Sequence, residues 1–370
     1  MIVGIPKEIK DQEGRVALTP EWVGELIAQG YILKVERGAG SAAGFVDADY
    51  QARGAELTDA KQAWAADCVL KVKEPLPSEY DYLQGQTLFT YLHLAGVDKA
   101  LSETLLASGT TALAYELVEN DQRQRPMLVP MSAIAGNMAA NVGGFYLARF
   151  QGGKGVQLGF IGDKRHGRAL VVGDGTVGRH SAQALSAMGA HVDMVGLDAK
   201  PLSAWLARFP DIQFHQSTPD IVTELTARAD LVIGAVLRPG DHAPHVLSQS
   251  MIEGMAQGSV VIDVSIDQGG CIETSRPTSH SDPIFLHQGV IHYAVSNMPG
   301  AYPRSATAAL TQASWPYIQT LLKMLREQRP MNELPAGMRP ALMTYQGKLR
   351  HPVVAESLGL QAAYLTLDAA

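Results

Sequence analysis

Two cysteines in the whole chain, Cys68 and Cys271, leave no disulfide framework to read. Each stands in an apolar neighbourhood far from the other, the pattern of two buried free thiols. Long apolar runs are missing as well. No stretch reads as the roughly 20 predominantly apolar residues that a spanning helix needs. The opening apolar run, 1–6, meets Lys7, Glu8 and Lys10 too early for a secretory leader. The expected location is cytoplasmic. Clustered positive charge is absent: 30 Lys and Arg stand against 37 Asp and Glu, a formal net charge of −7. Nucleic acid and anionic membranes therefore have no electrostatic reason to bind. Low-complexity segments and solenoid-length repeats are lacking. The histidines, among them His166, His242 and His287, follow no metal-site spacing and read as surface or structural, so no metal is expected.

What is present is apolar and patterned. With 46% hydrophobic and 18% charged residues over 370 positions, the chain can bury two cores. Short strand-like runs at 2–5, 31–35, 68–72, 87–92 and 111–115 alternate with helical patterns such as 20–29 and 99–107. A helix near 131–150, with Ser132 as its cap, leads to a second alternation. Runs at 169–173, 192–197, 231–236, 260–264 and 291–295 are almost continuously apolar, as strands covered on both faces require. From about residue 303 the tail reads as helical again. The prediction is an α/β protein of two Rossmann-like domains. A dinucleotide-binding domain, 130–302, is inserted into a discontinuous substrate domain formed by 1–129 and the returning C-terminal helices of 303–370.

Gly173-Asp174-Gly175-Thr176-Val177-Gly178 places G-x-G-x-x-G between a buried strand and a helix-like segment, 179–188. In that context Gly173 makes the tight turn, Gly175 lets a pyrophosphate approach the backbone, and Gly178 permits close helix–strand packing. The N–H groups at the helix start would face the phosphates. An acidic residue about 20 positions on, at the end of the second strand, would bind the adenosine ribose. That strand reads His191-Val192-Asp193-Met194-Val195-Gly196-Leu197-Asp198, and Asp198 is the candidate.

Several separated stretches, all in one order, resemble the alanine dehydrogenases and the superfamily they share with proton-translocating transhydrogenases. They are Gly4-Ile5-Pro6-Lys7-Glu8, Glu13-Gly14-Arg15-Val16-Ala17, Lys71-Val72-Lys73-Glu74-Pro75, Thr90-Tyr91-Leu92-His93, Pro130-Met131-Ser132, the glycine-rich turn, Asp263-Val264-Ser265-Ile266-Asp267, and Ser296-Asn297-Met298-Pro299. The resemblance covers nearly the whole chain. It implies an NAD-dependent conversion of L-alanine to pyruvate and ammonium by a homo-oligomer, a hexamer by analogy. It implies that Arg15 and Lys73 hold the substrate carboxylate, that His93 is the general acid–base, and that Asp267 activates water or ammonia. It further implies that Met131, Ser132, Asn297 and Met298 border the nicotinamide. Thr176, Val177, Ser217, Val236, Leu237 and Ile266 would complete the cofactor contacts, together with Asp267.

The chemistry suits those residue types. A guanidinium fork and an ammonium fit a small α-carboxylate, and an imidazole with an ordinary pKa of about 6.5 fits proton transfers near neutrality. Taken singly, each has a structural reading: Arg15 and Lys73 as surface charges, His93 as a core histidine between two leucines, Asp267 as a turn former, Met131 and Met298 as core filler. The sequence also departs from the family pattern. Counted without gaps, Gly196 stands where the ribose-binding acid is expected. Without a carboxylate there, a 2′-phosphate is no longer repelled, and Lys200 lies nearby; NAD is expected first, with NADP tolerated. The competing functions are a dehydrogenase for another small amino acid, a transhydrogenase-like subunit, and a regulatory relative that has lost catalysis.

Overall fold

The computed structural model describes residues 1–236 and 243–367. Leu237 and His242, singled out above, lie outside the described residues. Two compact units divide the chain. One is built from 1–131 with the segment from Gly300 onward, the other from Ser132–Pro299, so the second is inserted into the first.

In the first unit an eight-stranded sheet has the spatial order Lys348–Leu349, Leu342–Tyr345, Thr111–Ala114, Thr87–Thr90, Cys68–Leu70, Ile2–Ile5, Ile32–Glu36 and Glu56–Thr58. The last six are mutually parallel, and the two C-terminal strands add on antiparallel. That antiparallel pair corrects the expectation of a purely helical tail. The helix Pro303–Arg326 is present, but 342–349 folds as a hairpin. Its turn residues Gln346 and Gly347 have φ of 52° and 67°, the double positive φ of the hairpin turn that Asn-Gly usually announces. Gln in the first position concealed it.

The second unit carries a seven-stranded sheet ordered Ile212–Gln216, His191–Gly196, Arg168–Val172, Leu231–Gly234, Val260–Asp263, Val290–Tyr293 and Ile284–His287, parallel except for the last. Alternation along one strand explains its continuous apolarity: Ala169 and Val171 enter one core, Leu170 and Val172 the other. Chain order reverses between Arg168–Val172 and its two flanking strands. That is the switch point where open α/β sheets form a crevice.

The connecting helix runs Leu128–Tyr146, so Ser132 lies inside it and caps nothing. Within the second unit its buried residues are Ala135, Gly136, Met138, Ala139, Ala140 and Gly143, all small but Met138. A Cβ on Gly136 would come within 2.5 Å of the Val177 carbonyl oxygen, so the helix lies against the start of Thr176–Met188. The Ser181 hydroxyl seals that approach by donating to the Gly136 carbonyl at 3.0 Å. Cys68 and Cys271 are buried free thiols.

His292 shows how this core treats an ionisable group. Its Nδ1 lies 3.1 Å from the Val290 carbonyl, which can only accept, and its Nε2 lies 2.7 Å from the Thr274 hydroxyl. Both nitrogens are thus satisfied in the neutral ring. Burial pushes its pKa down to about 4. A depressed folded-state value contributes stability above the unfolded value of about 6.5, and that stability is lost as pH falls toward 4. The expected loss is up to about 3 kcal/mol. Urea unfolding at pH 7 and pH 4.5 should show a steeper acid loss in the wild type than in His292→Gln. Equal slopes would remove His292 from the explanation.

Candidate active site

Four functional positions of the first unit follow the C-terminal ends of neighbouring parallel strands. Arg15 lies beyond Ile2–Ile5, Lys73 beyond Cys68–Leu70, His93 beyond Thr87–Thr90 and Glu116 beyond Thr111–Ala114. The ladder itself thereby gathers residues about 100 positions apart at one sheet edge.

Arg15 is 3% exposed. Its Nε donates to Glu13 at 2.6 Å, its Nη2 to the other Glu13 oxygen, and its Nη1 points at the Met131 sulfur at 3.1 Å. Burial alone would lower the guanidinium pKa; the hydrogen bonds and charge of Glu13 outweigh it and raise it instead, so the group is held cationic and oriented. Lys73 has its Nζ 4.0 Å from Glu74, whose other oxygen is bound by Lys10. Burial works to raise the Glu74 pKa, but these two ammonium groups hold it below its ordinary value. One carboxylate thus faces two ammonium groups. The Thr90 hydroxyl fixes the loop by donating to the Lys73 carbonyl at 2.9 Å.

His93 sits in the left-handed region, φ 47°. Glu116 holds it there, accepting the His93 backbone N–H at 2.7 Å and that of Leu92 at 3.2 Å. The same carboxylate lies 3.8 Å from Nδ1, and the ring stacks parallel to Tyr91 at 5.9 Å. The imidazole is 43% exposed and so reachable. A core histidine is therefore excluded. Beneath this edge Lys71 is fully buried, its Nζ between Glu8 at 3.1 Å and Glu79 at 2.9 Å, while Glu8 also accepts the Val72 N–H at 2.6 Å. Burial lowers the Lys71 pKa, but the two carboxylates outweigh it and raise it.

In the second unit, Gly173 has φ 118°, and a Cβ there would stand 2.7 Å from the Ala235 carbonyl carbon. A Cβ at Gly178 would overlap the Gly173 carbonyl oxygen, whereas Gly175 faces open space. The helix Thr176–Met188 begins at Gly175 with no side-chain cap, leaving its first N–H groups for an anion. Thr176 and Val177 form its first turn. This cradle fits a pyrophosphate. Substituting Gly178→Val should weaken binding of reduced dinucleotide by at least about tenfold, checked by fluorescence titration; unchanged affinity would mean that this packing is irrelevant to the site.

Nearby strand ends carry the remaining candidates. Ser217 donates its N–H to the Gly196 carbonyl at 2.8 Å. The Val236 carbonyl accepts the Ser265 hydroxyl at 2.8 Å, beside buried Ile266. Asp267 is exposed, and its carboxylate accepts the Asn297 N–H at 3.2 Å, with Asn297 itself at φ 59°. Met298 is buried. Asp198 faces solvent, with Oδ1 accepting the Lys200 N–H at 2.9 Å. Residue-by-residue reading overlooked Glu13, Glu74 and Glu116, the carboxylates that hold the candidate cations and His93. Glu13 and Glu74 adjoin or nearly adjoin a candidate in sequence, a signal that was available; Glu116 does not.

A two-unit α/β protein with a dinucleotide-binding turn at a sheet switch point is the class that this fold defines. Comparison with known families is specific: residues 4–135 match the alanine dehydrogenase/PNT N-terminal domain and 139–352 the corresponding C-terminal domain. The chain belongs to the alanine dehydrogenase/PNT family. It is 42% identical to an alanine dehydrogenase of Mycolicibacterium smegmatis, with 97% of each chain covered, and 43% identical to one of Bacillus subtilis, with 98% and 96% covered. A solved L-alanine dehydrogenase superposes with a TM-score of 0.92 at 42% identity, covering 97% of this chain and 99% of that one. A transhydrogenase from Sinorhizobium meliloti shares the fold, with a TM-score of 0.82 at 24% identity over 94% and 100% of the chains. Family and fold together make the chain an oxidoreductase that uses a nicotinamide cofactor. No helix among the described residues is long and apolar enough to cross a membrane.

Proposed function

We propose that this chain catalyses the reversible oxidative deamination of L-alanine to pyruvate and ammonia with NAD, NADP being the alternative cofactor. The observation that carries the reading is the alignment of Arg15, Lys73 and His93 beyond three adjacent parallel strands, in a chain of this family.

Arg15 and Lys73 bind the α-carboxylate, the first as an oriented fork and the second as a point charge. A bound nicotinamide would supply the hydride acceptor for the α-hydrogen of alanine. His93 takes the proton that the amino group loses as the C=N bond forms. Asp267 orients the water that adds to the imine carbon; the two protons this oxygen loses as the C=O bond forms pass to solvent, and His93 returns the proton it took to the departing nitrogen, releasing ammonia. Met131, Ser132, Asn297 and Met298 bound the reacting groups. The proposed protein is a cytoplasmic homo-oligomer, a hexamer by analogy. Its cofactor domain spans 130–302, within a catalytic domain of 1–129 and 303–370.

Purified protein should oxidise NADH when given pyruvate and ammonium together, followed by loss of reduced-cofactor absorbance. Folded protein that oxidises neither NADH nor NADPH under those conditions would overturn the reading. Ammonium-dependent oxidation with a different keto acid and none with pyruvate would reassign the substrate.

A further inference from the structure

The glycine-rich turn contains an acid, and the strand end where an acid belongs contains a glycine. These two oddities meet. A Cβ built on Gly196 would come within 2.7 Å of the Asp174 Cγ and would overlap its Oδ2. The Asp174 side chain therefore fills the volume that a side chain at 196 would need. Its Oδ2 accepts the Leu197 backbone N–H at 3.0 Å, which anchors the carboxylate at the end of the strand His191–Gly196. Its other oxygen has no hydrogen-bond partner among the described residues.

We propose that Asp174 is the ribose-recognising carboxylate of this protein, delivered from the glycine-rich turn across to the end of the second strand, with Gly196 as the vacancy that admits it. The inference rests on the dinucleotide-binding part of the functional reading, and not on the choice of amino-acid substrate. Geometry supports it three ways. The strands Arg168–Val172 and His191–Gly196 are direct parallel neighbours, and Gly173 donates its N–H to the Val195 carbonyl at 2.9 Å, so residue 174 emerges alongside residue 196. Anchoring to the Leu197 N–H places one carboxylate oxygen at the strand end. Asp198, the acid nearest in sequence, is instead engaged with the Lys200 N–H.

A carboxylate so placed accepts hydrogen bonds from vicinal ribose hydroxyls and repels a 2′-phosphate. The preference is then for NAD(H), enforced by a residue outside the usual position. On this proposal NADP(H) binds more weakly than Gly196 alone would suggest.

The test is equilibrium binding, measured by fluorescence titration of the full chain with NADH, NADPH and 2′-deoxy-NADH, without substrates. Wild type should prefer NADH over both other ligands. Asp174→Ala should lose at least about tenfold in NADH affinity, the worth of a charged hydrogen bond, and discriminate little among the three. Asp174→Gly combined with Gly196→Asp should recover the preference for NADH, which a merely structural role for Asp174 would not predict. Gly196→Ala, with Asp174 intact, should displace the carboxylate and reproduce the loss. Retained discrimination in Asp174→Ala, or its loss in Asp198→Ala while Asp174→Ala behaves as wild type, would overturn the proposal. Should Asp174→Ala fold poorly, Asp174→Asn gives the same comparison. Because turnover is not read, the result stands whether or not alanine is the substrate.

Discussion

Replacing His93 by alanine will lower kcat for pyruvate amination by about 10²- to 10⁴-fold, the range expected when a positioned acid–base is removed. Affinity for NADH, by contrast, will stay within about twofold, because a proton-transfer group loses no cofactor contact. The structure says why the variant should still fold. Glu116 hydrogen-bonds the backbone N–H groups of Leu92 and His93, and these bonds remain when the ring, 3.8 Å from the carboxylate, is removed. The left-handed φ of 47° is mildly unfavourable for alanine, so His93→Asn, which tolerates that conformation, serves as the companion variant. Both should lose turnover together, and both should bind NADH. Near-normal rates in either would end the acid–base assignment. Loss of NADH binding in both would show that the residue supports the fold and not the chemistry.

The second large effect is expected at the buried ion cluster of Lys71, Glu8 and Glu79. Lys71→Met removes the cation that neutralises Glu8 and Glu79 in a site with no solvent. Breaking a buried ion cluster from one side costs about 3–5 kcal/mol, because the carboxylates left behind have lost both water and counter-ion. Urea unfolding of the first unit, followed by far-ultraviolet circular dichroism, should register that loss. Adding Glu8→Gln, which keeps an acceptor for the Val72 N–H and removes one stranded charge, should recover part of it. If Lys71→Met unfolds at the wild-type midpoint, the cluster contributes no stability. A further loss in the double variant would contradict the electrostatic account.

Much of the fold was legible because burial on two faces leaves a mark in composition. Runs such as 169–172 and 231–234 are apolar at every position, since alternate side chains feed different cores. Ile212–Gln216 was missed for the converse reason: it is an edge strand with Gln213, His215 and Gln216 polar. The glycine-rich turn was readable because its glycines answer to backbone geometry, a demand that no other residue type meets. The helix Leu128–Tyr146 was placed approximately, but its packing face was not foreseen. Phe145 is 50% exposed while Gly136, Ala139, Ala140 and Gly143 are buried, because close approach of the neighbouring helix at Gly136 selects a small residue there.

The chemical inventory also came from residue types: a guanidinium, an ammonium, an imidazole and a carboxylate in motifs whose order identifies a family. Sequence by itself determined which groups are available and which backbone turns are possible, because those depend on covalent structure and local conformation. Only the tertiary structure decided which carboxylate serves which partner. Asp174 and Gly196 are 22 positions apart and looked like two separate defects, an unwelcome charge and a missing one. Adjacent parallel strands bring them together, and one side chain occupies the other's volume. Complementarity of that kind is a property of distances in space, and the linear chain carries no record of those distances.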